Sequence, residues 1–339
     1  MVLTATKTAP ADNSQGALDK LVSATNDSMQ KVNDLIISRA DSHVEIVPEL
    51  ARYLIDAGGK RLRPMLTLAA AAMFGGANGN EIRFAGAVEF MHNATLLHDD
   101  VVDESDMRRG KPAARKVWGN QASVLVGDFL LGQAFLMMVE ANDIEALGVL
   151  SRAAAVIAEG EVFQLSKAKD LNTSADDYFQ VIRAKTATLF EAATEVGAMA
   201  GGANAAERRT LGDYGLALGR AFQLIDDVLD YGGVAGTLGK NTGDDLREGK
   251  MTLPVILALQ SADDDERALI AQGLGNADAD ADMLAGIIAI MEKYGALQQS
   301  LEEAERAVAS AHASLEQLPE SEMRALLAGV ADFCLARAY

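Results

Sequence analysis

Apolar residues recur along the chain at three- and four-residue spacing, and clean two-residue alternation is hard to find. Val88, Met91 and Leu96 fall on one such stripe, with Thr95 mixed in, and Leu216, Leu218, Phe222, Ile225 and Leu229 on another. A repeat near 3.6 residues marks amphipathic helices. No proline lies between Pro112 and Pro254, a stretch rich in the helix formers Ala, Leu, Met, Glu and Gln. The pattern predicts an all-α protein. The uncharged runs 64–80 and 283–291 read as buried helices, the second too short to span a bilayer. Gly and Pro mark breaks at 57–64, 74–80, 201–204 and 231–243, and Arg109-Gly110-Lys111-Pro112 reads as a helix stop. None of these is a long polar linker. We therefore expect one large helical domain over 17–339 and a frayed tail over 1–16, although 339 residues would accommodate two domains.

Composition narrows the function. Acids outnumber bases 49 to 30, for a formal net charge of −19, which argues against nucleic acid as a partner. The single cysteine, Cys334, excludes an intrachain disulfide. Residues 1–16 lack the apolar core of a secretion signal. The expectation is a soluble, cytoplasmic protein, with peripheral membrane contact at most.

The spelling Asp-Asp-x-x-Asp occurs twice, as Asp99-Asp100-Val101-Val102-Asp103 and Asp226-Asp227-Val228-Leu229-Asp230. Each copy follows an apolar helical stretch. On a helix, positions i and i+4 share a face, so Asp99 pairs with Asp103 and Asp226 with Asp230. Like charges so placed repel, and a cation between them reverses the sign. Hard oxygen ligands select Mg²⁺ or Ca²⁺, and Mg²⁺ completes its shell with water and phosphate oxygens. Two such helices facing each other would hold a diphosphate through shared metals. The alternating Asp278, Asp280 and Asp282 lack the glycine and glutamate of a calcium-binding loop. Bases gather near both acidic motifs: Arg108, Arg109 and Lys111 after the first, Lys240 and Lys250 after the second. Lys60, Arg61 and Arg63 follow Gly58-Gly59, and Lys185-Thr186 lies mid-chain. Arg grips phosphate as a fork and Lys as a point charge. A metal-bridged diphosphate needs this mixture. Residues 260–339 carry no motif that points to chemistry.

These residues resemble the trans-type polyprenyl diphosphate synthases. The matching blocks are GGKRLRP (58–64), HNATLLHDDVVDESDMRRGK (92–111), KTATLF (185–190), GRAFQLIDDVLDY (219–231) and GKNTGDDLREGKMTLP (239–254), in the family's order. The resemblance implies helices around a central cavity, usually in a homodimer. It implies stepwise addition of isopentenyl diphosphate to an allylic diphosphate with two or three Mg²⁺ ions. Lys60, Arg63, His92 and Arg109 would then hold isopentenyl diphosphate. Arg108, Lys185, Thr186, Gln223, Lys240 and Lys250 would meet the allylic diphosphate. Asp99, Asp103 and Asp226 would be the main metal ligands, with Asp100, Asp227 and Asp230 in support.

The helix before Asp99 should wall the product cavity, which points to Thr95, Ala94, Met91, Val88 and Ala87. Short-chain members carry an aromatic floor four or five residues before the first Asp, where this chain has Thr95 and Ala94. The spelling looks most like the long-chain members that make quinone tails, so a product of about C40–C50 is expected. A shorter-chain synthase and a non-catalytic subunit of a heteromeric synthase are the alternatives. A terpene cyclase or head-to-head synthase fits less well, because neither needs the GGKRLRP block and cyclases replace the second Asp motif.

Overall fold

The computed structural model describes residues 11–56, 61–75, 78–232 and 243–338. The expected Lys60 and Lys240 lie outside these residues, as do positions 1–10 of the expected tail. Helix α1 runs Ala11–Arg39, so it starts earlier than the limit expected at residue 16. The chain then forms α2 (Ile46–Asp56), α3 (Leu62–Ala72) and α4 (Asn80–Val102). Long helices α5 (Ala114–Glu140) and α6 (Ile144–Lys167) follow, then short α7 (Ala175–Ile182), α8 (Thr188–Gly201) and α9 (Ala205–Gly232). Six more helices close the fold: α10 (Asp244–Arg247), α11 (Leu253–Ser261), α12 (Asp264–Gly273), α13 (Ala281–Lys293), α14 (Ala296–Glu316) and α15 (Glu322–Ala336).

The expected helix stop at 109–112 is something else. Helix α4 already ends at Val102, and a minimal antiparallel pair follows, β1 (Met107–Arg108) with β2 (Lys111–Pro112). Its two turn residues, Arg109 and Gly110, have φ of 52° and 75°. Two successive positive φ values suit a tight hairpin. Gly-then-Pro punctuates a hairpin as readily as a helix end, which is why the sequence did not distinguish them. The acidic residues near 280 act locally: the Asp280 side chain caps α13 by accepting from the Met283 N–H at 2.8 Å.

The buried apolar residues form two clusters. One gathers α9, α11, α13, α14 and α15 around Leu218, Ile225, Val255 and Leu327. The other gathers α2, α4, α5 and α6 around Val88, Met91, Met137 and Leu150. Helices α3 and α8 give residues to both. They cross closely, since a β-carbon on Gly197 of α8 would lie 2.2 Å from the Thr67 carbonyl oxygen of α3. The acid-bearing helices α4 and α9 thus belong to different clusters, with the α3–α8 pair between them.

One apolar helix was not anticipated. Among the described residues, α5 alone is long and apolar enough to cross a membrane. Val117, Leu125, Leu136 and Val139 on α5, and Ile144, Val162 and Leu165 on α6, are large and exposed.

Candidate active site

A cavity of ≈ 1120 Å³ is lined from both α4 and α9. Asp99 and Asp103 line it from the C-terminal end of α4, and Asp226 and Asp227 from that of α9. The cavity also takes in Arg63, His92, Arg108, Arg109, Lys185, Thr186, Gln223 and Lys250. Every predicted diphosphate-binding residue within the described part of the chain therefore faces one space.

Each of the three predicted ligand carboxylates sits beside a cation. Lys185 Nζ lies 3.5 Å from Asp99 Oδ2, Lys250 Nζ 2.9 Å from Asp103 Oδ2, and Arg337 Nη2 2.7 Å from Asp226 Oδ1. Burial works against the charge on both lysines, yet the surrounding acids outweigh it. Asp99 and Glu161 hold Lys185 above the ordinary lysine range, and Asp245, Asp103 and Glu248 hold Lys250 well above it. Burial likewise opposes the charge of Asp103, but Lys250 and Lys185 bring its carboxyl below the usual range. Carboxylates are hard-oxygen donors, the set that suits Mg²⁺ or Ca²⁺. Among the described residues, no three His, Cys, Asp or Glu side chains gather closely enough to hold an ion by themselves. Mg²⁺ commonly takes one or two carboxylates and completes its shell with phosphate oxygens and water.

The remaining acids of the two motifs are held by neighbouring protein groups, Asp227 while also lining the cavity. Asp100 is fully buried and takes a fork from Arg108, whose Nε donates at 2.8 Å. Asp227 accepts from Tyr178 and Gln223, and burial with neighbouring Asp245 pushes it up to about 7. Asp230 accepts from the Asp245 N–H at 3.1 Å, tying α9 to α10.

On the opposite wall, Arg63 Nη1 lies 3.1 Å from His92 Nε2 and stacks over Phe190 at 4.4 Å. Burial, then Arg63, Arg109 and Arg108, keep the His92 imidazole neutral by lowering it well below its ordinary range. Burial also lowers Arg63, to about 10. Neutral Nε2 thus accepts from the guanidinium and orients it.

Lys185 and Thr186 belong to a π-helical turn, Arg183–Ala187, between α7 and α8. Such turns carry an extra residue per turn and concentrate at functional sites. Here the turn is clamped between two glycines. A β-carbon on Gly160 of α6 would meet the Ala184 β-carbon at 2.4 Å, and one on Gly219 of α9 would meet the Ala187 α-carbon at 2.6 Å. The close approach of α6 brings Glu161 to Lys185 at 3.0 Å. Gly160→Ala is expected to cost about 1–3 kcal/mol of stability by overpacking and to lower turnover by displacing Lys185. Thermal melts and steady-state rates check this; unchanged values in both would show that the turn yields without moving the lysine.

The predicted product wall is only partly at the cavity. Thr95 lines it, together with Leu96, His92 and Glu89. Ala94, Met91, Val88 and Ala87 are 0–1% exposed and pack in the core behind. A helix turns ~100° per residue, so Ala94 lies about 140° around α4 from Asp99, whereas Thr95 and Leu96 lie below it. Sequence reasoning missed four contributors: Arg337, Glu161, Tyr178 and the Phe190–Phe222 pair, whose rings are 5.7 Å apart. Arg337 comes from the stretch that held no chemical motif, and it stacks over Phe222 at 4.9 Å.

Comparison with known proteins shows the family. Residues 44–291 match the family described as polyprenyl synthetase. The chain is similar to octaprenyl diphosphate synthase of Escherichia coli, with 42% identity over 324 residues, 94% of this chain and 99% of that protein. Its fold is similar to a polyprenyl synthase from Caulobacter crescentus crystallised with calcium and isoprenyl diphosphate, at 48% identity and a TM-score of 0.91, covering 95% of this chain and 98% of that one. It is also similar to a decaprenyl diphosphate synthase from Rhodobacter capsulatus, at 47% identity and a TM-score of 0.90, covering 95% and 99%.

Proposed function

The chain belongs to the polyprenyl synthetase family, and from that premise we propose that it is a long-chain polyprenyl diphosphate synthase, joining isopentenyl diphosphate stepwise to an allylic diphosphate. The product is about C40–C50. One observation carries the reading. The acidic ends of α4 and α9 meet in one cavity, and each predicted ligand carboxylate there is matched by a cation that can turn to phosphate.

Asp99, Asp103 and Asp226 would hold Mg²⁺, two or three ions per site, and Mg²⁺ when bound supplies Lewis-acid stabilisation of the leaving diphosphate. Lys185, Lys250 and Arg108 bind the allylic diphosphate and take up charge as its C–O bond ionises. Arg63 and Arg109 hold isopentenyl diphosphate, with His92 orienting Arg63. The isopentenyl double bond then attacks the allylic cation, and a proton is lost. Among the described residues no side chain is placed as an evident base, and the released diphosphate is the acceptor in this reading. Phe190, Phe222 and Leu96 keep the neighbourhood apolar, which excludes water from the cation.

Lengthening proceeds along α4 past Thr95. The whole described chain acts as one catalytic domain. The exposed apolar residues of α5 and α6, among them Leu125, Val139, Ile144 and Val162, meet a second copy of the chain.

The test is incubation with isopentenyl diphosphate, an allylic primer and Mg²⁺, then dephosphorylation and chromatography. All-trans alcohols of about C40–C50 are expected, their formation stopped by a chelator, from a protein that sediments as a dimer. Cyclic or head-to-head products, or none, would overturn the reading.

A further inference from the structure

Thr186, Gln223, Asp227 and Tyr178 form a hydrogen-bonded chain across three elements, and all four line the cavity. Thr186 Oγ1 donates to Gln223 Oε1 at 2.7 Å. Gln223 Nε2 donates to Asp227 Oδ1 at 2.7 Å, and the Tyr178 hydroxyl donates to Asp227 Oδ2 at 2.6 Å. Tyr178, Thr186 and Asp227 are all buried.

The direction of this chain follows from what each group can do. Both oxygens of Asp227 accept, one from Gln223 Nε2 and one from the Tyr178 hydroxyl. Asp227 therefore draws the amide nitrogen of Gln223, which turns the amide oxygen toward Thr186. Thr186 has one hydroxyl proton and gives it to that oxygen. Its oxygen then presents lone pairs to its remaining surroundings. At the far end, the Tyr178 hydroxyl occupies the second oxygen of Asp227 and keeps the carboxylate from rotating. Tyr178 is itself held firmly. It lies on α7, whose start is fixed by the reciprocal Ser174–Asp177 capping box, and its ring meets Phe179 edge-on at 5.4 Å.

We propose that Tyr178 is a positioning residue: through Asp227 it fixes the Gln223 amide and so the direction of the Thr186 hydroxyl beside the substrates. The inference rests on the prenyl-transfer reading above. A hydroxyl free to rotate would offer its proton in some molecules and its lone pairs in others. A fixed one meets the developing charge of each turnover with the same face, without reorganisation.

A double-mutant cycle tests it, with kcat and KM measured for both diphosphates. Tyr178→Phe keeps the ring and removes the hydroxyl. It is expected to lower kcat about tenfold, the worth of roughly one hydrogen bond, with KM for isopentenyl diphosphate changed less than about twofold. In a Thr186→Val background the same change should lower kcat less than about twofold, because the hydroxyl it directs is gone. In a Thr186→Ser background the tenfold dependence should return. Equal losses in the wild-type and valine backgrounds, or no loss in the wild type, would overturn the proposal. If Tyr178→Phe does not fold, Gln223→Met breaks the chain without touching Tyr178 and must show the same non-additivity with Thr186→Val. Turnover of the unmodified enzyme in the same assay judges the prenyl-transfer reading separately.

Discussion

Asp99→Ala should reduce turnover by about 10³-fold or more while the protein stays folded. A single preorganised electrostatic contact is typically worth about 10²–10³ in rate, and a lost metal ligand adds to that. The fold tolerates the change for a local reason. Asp99 lies at the cavity, and its cation partner Lys185 keeps Glu161 at 3.0 Å. No buried charge is stranded, so the severe penalty of breaking a buried pair does not apply. Thermal melting within a few degrees of the parent, with product formation lost, is the expected pair of results. Near-normal product formation would remove Asp99 from the metal site.

Thr95→Phe should shorten the product by several isoprene units. The Thr95 side chain faces the cavity one turn below Asp99, where a ring would close the path of the growing tail. Ala94→Phe makes a revealing control. Ala94 is 1% exposed in the α4 core, so a ring there overpacks it, at about 1–3 kcal/mol. The expected contrast is a shorter product without loss of stability at 95, and loss of stability with less effect on length at 94. Equal truncation by both, with equal melting temperatures, would place the tail on the Ala94 side of α4.

Helix content was legible because propensity and period agree throughout, from the stripe before Asp99 to the one before Asp226. Both Asp motifs were legible because the spacing is local and repeated. What failed was of two kinds. Local signals with two meanings misled: Arg109-Gly110 and Pro112 serve a hairpin, and 183–187 spells ordinary helix while forming a π turn. Contacts set only by tertiary packing were invisible: Arg337 reaches Asp226 from 111 residues away. Ala94 and Thr95 are adjacent in sequence, and the helical turn from Asp99 already separates them, Thr95 meeting the cavity and Ala94 the core.

The crossing of α3 and α8 has a consequence far from itself. These two helices, like α1, give residues to both apolar clusters, and the Asp99 and Asp226 helices stand one in each. Backbone thickness at Gly197 and Thr67 therefore contributes to the distance across which two carboxylate groups must share a diphosphate, although neither residue lines the cavity. The molecule works like a caliper whose jaws carry the acids and whose pivot is a glycine set against a carbonyl.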